Sequence, residues 1–319
     1  MVSEKVNPLV GILTGPTASG KTQLALRWAS ELANIEIINA DSLLVYRGLD
    51  IGTAKPTQEQ LGQLPHHLID ILNPNEVFTA GDFFRAAQAA ITEIHNRGKR
   101  ALIIGGTGFY LKALLFGLWE TPASPIQDGE LKAQLQLISN VSLYEELFQK
   151  DPTSAERIGL NDRYRLIRAI EICRLSGKSP TDLQASLPKA PDPRFRLWII
   201  DRENSELYVR IRHRTQDMLN NGVIEEFQTV TSRFPQSRAL MAVGYAQIDA
   251  YLKGNPPSGR QLKPGLEGLF EEIQLATRQL VKRQRTWFKG QCPPSMGAHW
   301  FKLDEEIALL RSEFQKVYR

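Results

Sequence analysis

An α/β fold with a parallel sheet core is what this chain predicts, and three observations predict it. Short apolar runs of strand length occur at 9–14, 35–39 and 101–104, separated by stretches of helical period, as expected of strands joined by crossover helices. The first run leads into GPTASGKT, Gly15 to Thr22, which matches G-x-x-x-x-G-K-[ST] at every fixed position. With 319 residues, 42% hydrophobic and 23% charged, the chain is long enough for one large core or two domains.

In chain order, the run 9–14 is the strand that carries the glycine loop. The helix that follows the loop places Leu24, Trp28 and Leu32 on one face. The second strand, in IEIINAD, ends on Asp41, and AGDFFRAA (80–87) reads as a helix start with Asp82 in its first turn, where negative charge is favourable. The third run ends LIIGGTGFYL and opens GGTGFYLKALLFGL (105–118), read either as a tight strand-to-helix turn or as a second ligand-facing loop. From Leu118 to Pro193 the character changes. ETPASPIQDG is a loop, 129–150 and 163–175 are helical, and LPKAPDPR is a Pro-rich exit. RLWII (196–200) reads as one more buried strand, and 205–233 and 266–289 as long helices. The predicted organisation is a P-loop NTPase-like core at 1–117, a helical insertion at 118–193 and completion of the core by 194–319.

The glycine loop is a pyrophosphate cradle, because successive backbone N–H groups at a helix N-terminus face an anion and the helix dipole adds to them. Gly15, Pro16, Thr17, Ala18, Ser19, Gly20, Lys21 and Thr22 form it, with Lys21 for the outer phosphate and the Thr22 hydroxyl for Mg²⁺. Nucleotide binding, and so a small-molecule or nucleoside kinase using ATP, is the default reading of such a loop. The later apolar strand, however, ends without a carboxylate, so Asp41 is the strand-terminal acid near the loop. Residues at the carboxyl ends of strands line the ligand crevice of an open α/β sheet. Asp41 there can hold a metal, accept a proton from an attacking nucleophile, or cap the turn that begins at Ser42.

The 39 Lys and Arg exceed the 35 Asp and Glu by only four, but the pI near 9.0 directs attention to local clusters. In TRQLVKRQRTWFKG, Arg278, Lys282, Arg285 and Lys289 share one helix face, while Leu280, Val281, Gln284, Trp287 and Phe288 fall largely on another, expected to be buried. Arg210, Arg212 and Arg214 form a second cluster and Arg163, Arg165 and Arg168 a third. Such runs are either solvated faces paired with acids such as Glu171, Glu225 or Glu271, or a footprint for RNA or DNA. A non-catalytic RNA-binding module is compatible with the cations, yet leaves Asp41 and the two glycine loops without a role. Cys173 and Cys292 are too few for a disulfide framework or a cysteine zinc site and read as inert thiols. No window reaches the roughly 18 apolar residues of a membrane span, and the amino terminus carries no apolar leader, so a cytoplasmic protein is expected.

Taken together, GPTASGKT, DSLLVYRGLDIGTAKP, HHLIDI, GGTGFYLKALL, LNDRYRLIRAIEI, AVGYAQI and TRQLVKRQRTWF resemble one family, the bacterial tRNA dimethylallyltransferases, from about residue 9 to 303. The resemblance implies transfer of a dimethylallyl group from dimethylallyl diphosphate to the exocyclic amine of the adenosine 3′ of the anticodon, in tRNAs reading codons that begin with U. It implies that the loop binds the diphosphate as leaving group, with Mg²⁺ near Thr22. It matches Asp41 to the general base, and Thr17 and Arg214 to groups touching the diphosphate. Contacts to the tRNA anticodon arm are implied for Asp41, Ser42, Leu43 and Leu44, for Thr107 and Lys132, and for Tyr164, Arg165, Leu166, Ile167 and Arg168. They are implied too for Met241, Ala242, Val243, Gly244, Tyr245 and Ala246. Leu44 stands where many members have Gln, Ala246 where they have a charged residue, and Gly159-Leu160 where His-Pro is frequent. The absence of a zinc-finger extension before Arg319 is as expected of a bacterial or organellar type, and the expected state is a monomer.

Overall fold

The structure is a computed structural model that describes residues 9–32, 34–119, 129–255 and 263–318. The amino-terminal residues 1–8 and most of the ETPASPIQDG loop (120–128) lie outside them.

Six strands form one sheet: β1 (Val10–Thr14), β2 (Ile35–Asn39), β3 (His66–His67), β4 (Arg100–Gly105), β5 (Phe195–Asp201) and β6 (Ala298–Lys302). Their order is β3-β2-β4-β1-β5-β6, and every pairing is parallel. β1, β2 and β4 are apolar almost throughout because both faces of a parallel sheet are covered, and this made them legible as continuous apolar runs. β3 and β6 were not predicted. The two residues of β3 are both histidines, and β6 mixes Ala, His, Trp, Phe and Lys at the sheet edge, so neither carries that signature.

The helices of the sheet-bearing part are α1 (Lys21–Ser30), α2 (Gln58–Gln63), α3 (Ala80–Asn96) and α4 (Gly108–Phe116). Thr79 and Asp82 close a reciprocal capping box at the start of α3, so Asp82 is a structural residue there. Next come α5 (Gly129–Leu137), α6 (Asn140–Lys150), α7 (Pro152–Ile158), α8 (Arg163–Ser176) and α9 (Pro180–Ala185). The chain continues with α10 (Asn204–Asn220), α11 (Val223–Arg233), α12 (Tyr245–Leu252), α13 (Gly265–Gln291) and α14 (Leu303–Tyr318). Two expected long helices are therefore pairs. Ser139 ends one and caps the next by accepting the Ser142 N–H, and left-handed Gly222 (φ 89°) separates α10 from α11.

The chain divides into two compact units, one of the residues up to Leu115 and from Pro191 onward, the other Phe116–Ala190. In the first, α1 and α14 cover one face of the sheet: Trp28, Phe314, Trp198 and Tyr318 pack with Leu13, Leu102 and Ile200. The Tyr318 hydroxyl accepts the Gly11 N–H at 2.9 Å and donates to the Ala101 carbonyl at 2.8 Å, tying α14 to β1 and β4. A second core joins Leu49, Met218, Phe227, Tyr245, Ile248 and Ile273. The second unit has its own core of Leu135, Leu143, Leu147, Leu166 and Ile170.

Candidate active site

The site begins where β1 ends. The Thr14 hydroxyl donates to the Gly105 carbonyl at 2.7 Å, locking the ends of β1 and β4 side by side. Gly15 then turns with φ 154°, and a methyl group there would lie 2.2 Å from the Ile200 carbonyl oxygen, so only glycine fits. Ala18 (φ 67°) and Gly20 (φ 91°) continue the loop in left-handed conformations into α1. Leu207 and Ile211 of α10 and Val281 of α13 pack over Ala18 and hold the loop from outside.

One cavity of about 590 Å³ joins part of the predicted set of this unit; Gly15, Pro16, Ala18, Ser19, Gly20, Tyr245 and Ala246 are not among its lining residues. Thr17, Lys21 and Thr22 line it from the loop, Asp41 to Leu44 from the end of β2, and Thr107 from the second glycine loop. Arg214 of α10 and the segment Met241 to Gly244 also face it. The second glycine loop is thus a cavity wall as well as a turn.

Asp41 is held from both sides. Its N–H donates to Asn39 Oδ1 at 2.9 Å, and its own Oδ1 accepts the Leu43 N–H at 3.0 Å. The cap and cavity roles therefore coexist, because one carboxylate oxygen holds the turn while the residue lines the cavity. Ser42 N–H donates to Thr107 Oγ1 at 2.9 Å and Thr107 N–H to the Ala40 carbonyl at 3.2 Å, so the two walls are stitched together.

Burial dominates the electrostatics. It lowers the Lys21 ammonium to about 8; the Asp41 carboxylate opposes this, and the Arg214 charge adds to it. Arg214 is lowered by burial as well, again against the pull of Asp41, and it donates to the Thr53 carbonyl at 3.0 Å. Two cations crowded beside a single carboxylate gain when an anion arrives.

The loop also contains an orphan: Ser19 Oγ is buried with no hydrogen-bond partner among the described residues. No cluster of three or more His, Cys, Asp or Glu suits a protein-only metal site among those residues. Mg²⁺ differs from such sites in needing only one or two protein oxygens, with water and substrate phosphates completing its shell. Thr22 and Asp41, with Thr17 and Ser42, are among the oxygen-bearing side chains that line the cavity near the loop.

Other expectations are corrected. Tyr245 is buried in a core and donates its hydroxyl to Glu226 at 2.6 Å, while Leu166 and Ile167 are buried in the second unit, so these three side chains are packing groups. Arg163 donates to the carbonyls of Gln136 and Ile138, capping the end of α5 instead of joining a cationic face. Arg285 is bound by Asp201 at 2.8 Å, which interrupts the expected face, and Arg210 pairs with Glu206. Arg168 pairs with Glu171, and Arg165 with Asp162. Tyr164 is 70% exposed on α8, and Lys132 lies half-buried on α5 of the same unit. Both cysteines are buried, and burial raises their thiols, Cys292 to about 11.

Four contributors were missed. Gln284 accepts the Thr17 N–H at 2.8 Å. Glu226 accepts the N–H groups of Asp50, Ile51 and Gly52, fixing the DIGTAKP turn that presents Thr53 to Arg214. Phe109, 66% exposed, and Trp287 pack together beside Arg283 on the cavity wall. Gln284 and Trp287 lay within a block already singled out, but nothing local distinguishes Glu226 from its neighbour Glu225.

Against this geometry, a family model described as IPP transferase matches residues 44–291. The chain belongs to the IPP transferase family. Among IPP transferases it is 43% identical over 281 residues to tRNA dimethylallyltransferase 1 of Citrifermentans bemidjiense, covering 87% of this chain and 88% of that one. The full-length tRNA isopentenylpyrophosphate transferase of Bacillus halodurans superposes with a TM-score of 0.66 at 33% identity, over 97% and 96% of the two chains. A eukaryotic dimethylallyltransferase acting on tRNA, 23% identical, shares the fold with a TM-score of 0.77 over 92% of this chain and 74% of its own. Membership of the IPP transferase family makes the chain a prenyl-transferring enzyme and leaves the kinase reading without support.

Proposed function

We propose that this enzyme transfers a dimethylallyl group from dimethylallyl diphosphate to the exocyclic amine of the adenosine 3′ of the anticodon in tRNAs reading U-starting codons, releasing diphosphate. The observation that carries the reading is that Asp41, Lys21, Arg214, Thr17 and Thr107 line one cavity.

In this reading the C–O bond between the allyl carbon and the diphosphate breaks as a bond forms from the adenine nitrogen to that carbon. An aryl amine is a weak nucleophile, so Asp41 takes its proton as the new bond forms. Lys21, Arg214, the Thr17 hydroxyl and the loop N–H groups receive the charge that builds on the departing diphosphate. The Thr22 hydroxyl would hold Mg²⁺, which would supply further neutralisation of that charge. The apolar walls Leu43, Leu44, Leu280 and Trp287 keep water from the allylic carbon. The adenine leaves its stack to enter, at a cost of roughly a few kcal/mol, least in a loop. In this reading the anticodon arm is held by Asp41 to Leu44, Thr107, Met241 to Gly244 and Ala246, and by Lys132, Tyr164, Arg165 and Arg168. A cytoplasmic site of action goes with a tRNA substrate; no described helix is long and apolar enough to cross a membrane.

Labelled dimethylallyl diphosphate incubated with the protein and tRNA should yield labelled tRNA; no label in the RNA refutes the reading. Asp41→Asn, which keeps an oxygen for the Leu43 N–H but is no base, should abolish turnover and leave tRNA affinity within about threefold of wild type.

A further inference from the structure

The phosphate loop does not offer all of its donors to a ligand. Pro16 has no N–H, and the Ser19 N–H is spent on the Pro16 carbonyl at 3.2 Å. The Thr17 N–H donates to Gln284 Oε1 at 2.8 Å. The Gln284 amide is oriented by its other end, since Nε2 donates to the Gly106 carbonyl at 3.3 Å. A reversed amide would set an NH₂ against the Thr17 N–H and an oxygen against a carbonyl. The donors that remain are those around the start of α1.

The position of this amide matters. A methyl group built on Gly106 would lie 3.1 Å from Gln284 Nε2 and 3.7 Å from Lys21 Nζ, so the amide and the ammonium both border this glycine at one end of the loop. In loops of this pattern that end belongs to the outermost phosphate, which the lysine reaches. A phosphoryl oxygen is an acceptor only, and an N–H that already serves a fixed acceptor oxygen can give it no more than the weaker arm of a shared bond.

We propose that Gln284 sets the length of polyphosphate the loop accepts: its Oε1, by occupying the Thr17 N–H, excludes a third phosphate and restricts the cradle to a diphosphate. The proposal rests on the diphosphate-donor reading above. It supplies a reason why a loop of kinase type would serve a leaving group and not a nucleoside triphosphate.

The test measures binding of inorganic pyrophosphate and inorganic tripolyphosphate to the full chain by calorimetry, at fixed Mg²⁺. Wild type should favour pyrophosphate by about tenfold or more, the worth of one hydrogen bond to a charged oxygen. Gln284→Leu and Gln284→Ala should free the Thr17 N–H and bring the ratio to one or below. Gln284→Glu keeps an acceptor there and should keep the preference while weakening both anions. Tripolyphosphate bound as tightly as pyrophosphate by wild type overturns the proposal. So does an unchanged preference in Gln284→Leu and Gln284→Ala, or loss of pyrophosphate binding by both variants with native circular dichroism and melting, which would make the amide a strut. Failure of wild type to label tRNA would instead strike at the prenyl-transfer reading and leaves the two anion affinities to be read on their own.

Discussion

Proton uptake on pyrophosphate binding follows from the burial of Lys21. Desolvation holds its ammonium at about 8, from an ordinary 10.5. At pH 8.5 the unliganded protein has lost much of the Lys21 proton, whereas near pH 6.5 it keeps it. A bound diphosphate places negative charge against the amine and restores its protonation, so binding should take up a substantial fraction of a proton at pH 8.5 and much less at pH 6.5. Calorimetry in two buffers of different ionisation enthalpy reads this uptake directly. Pyrophosphate also titrates in this range, and Lys21→Met, which lacks the amine, measures that contribution for subtraction. The sign for folding runs the opposite way. Between about 8 and 10.5 the unfolded chain holds a proton that the folded amine has lost, so this residue's contribution to stability rises with pH in that window. Equal proton uptake by wild type and Lys21→Met at pH 8.5 would refute the argument that Lys21 is a desolvated partner of the diphosphate.

Three further outcomes are expected. Glu226→Ala should lower stability by about 3 kcal/mol or more, because three backbone N–H groups and the buried Tyr245 hydroxyl lose their acceptor, and raise KM for the donor as Thr53 shifts under Arg214; thermal melting and steady-state kinetics check both parts. Tyr318→Phe should cost about 1–3 kcal/mol in denaturant unfolding with kcat unchanged, since it orphans the Gly11 N–H and the Ala101 carbonyl far from the cavity. Gly105→Ala should give little soluble protein, because the added methyl would sit 2.2 Å from the Ala40 backbone where β4 meets the end of β2; yield in the soluble fraction and melting temperature test it.

The sequence by itself determined the elements whose chemistry is local. A covered parallel strand must be apolar on both faces, so β1, β2 and β4 could be read directly, and a loop that wraps a pyrophosphate needs glycine, lysine and threonine at set intervals. Asp41 could be singled out for the same reason, as a strand-terminal acid beside that loop. Helix breaks at Ser139 and Gly222 were harder, because a serine or a glycine inside a periodic run is tolerated as often as it ends one. Only the tertiary structure decided what the arginines do. Arg163, Arg210 and Arg285 meet carbonyls or carboxylates distant in sequence or a turn away, whereas Arg214 on the same helix as Arg210 faces the cavity. Charge along a chain records how many cations there are, and their use is set by which partners folding brings within hydrogen-bond reach. The same holds for Gln284 and Glu226, whose backbone partners lie 267 and about 175 residues away, a separation that no local pattern encodes.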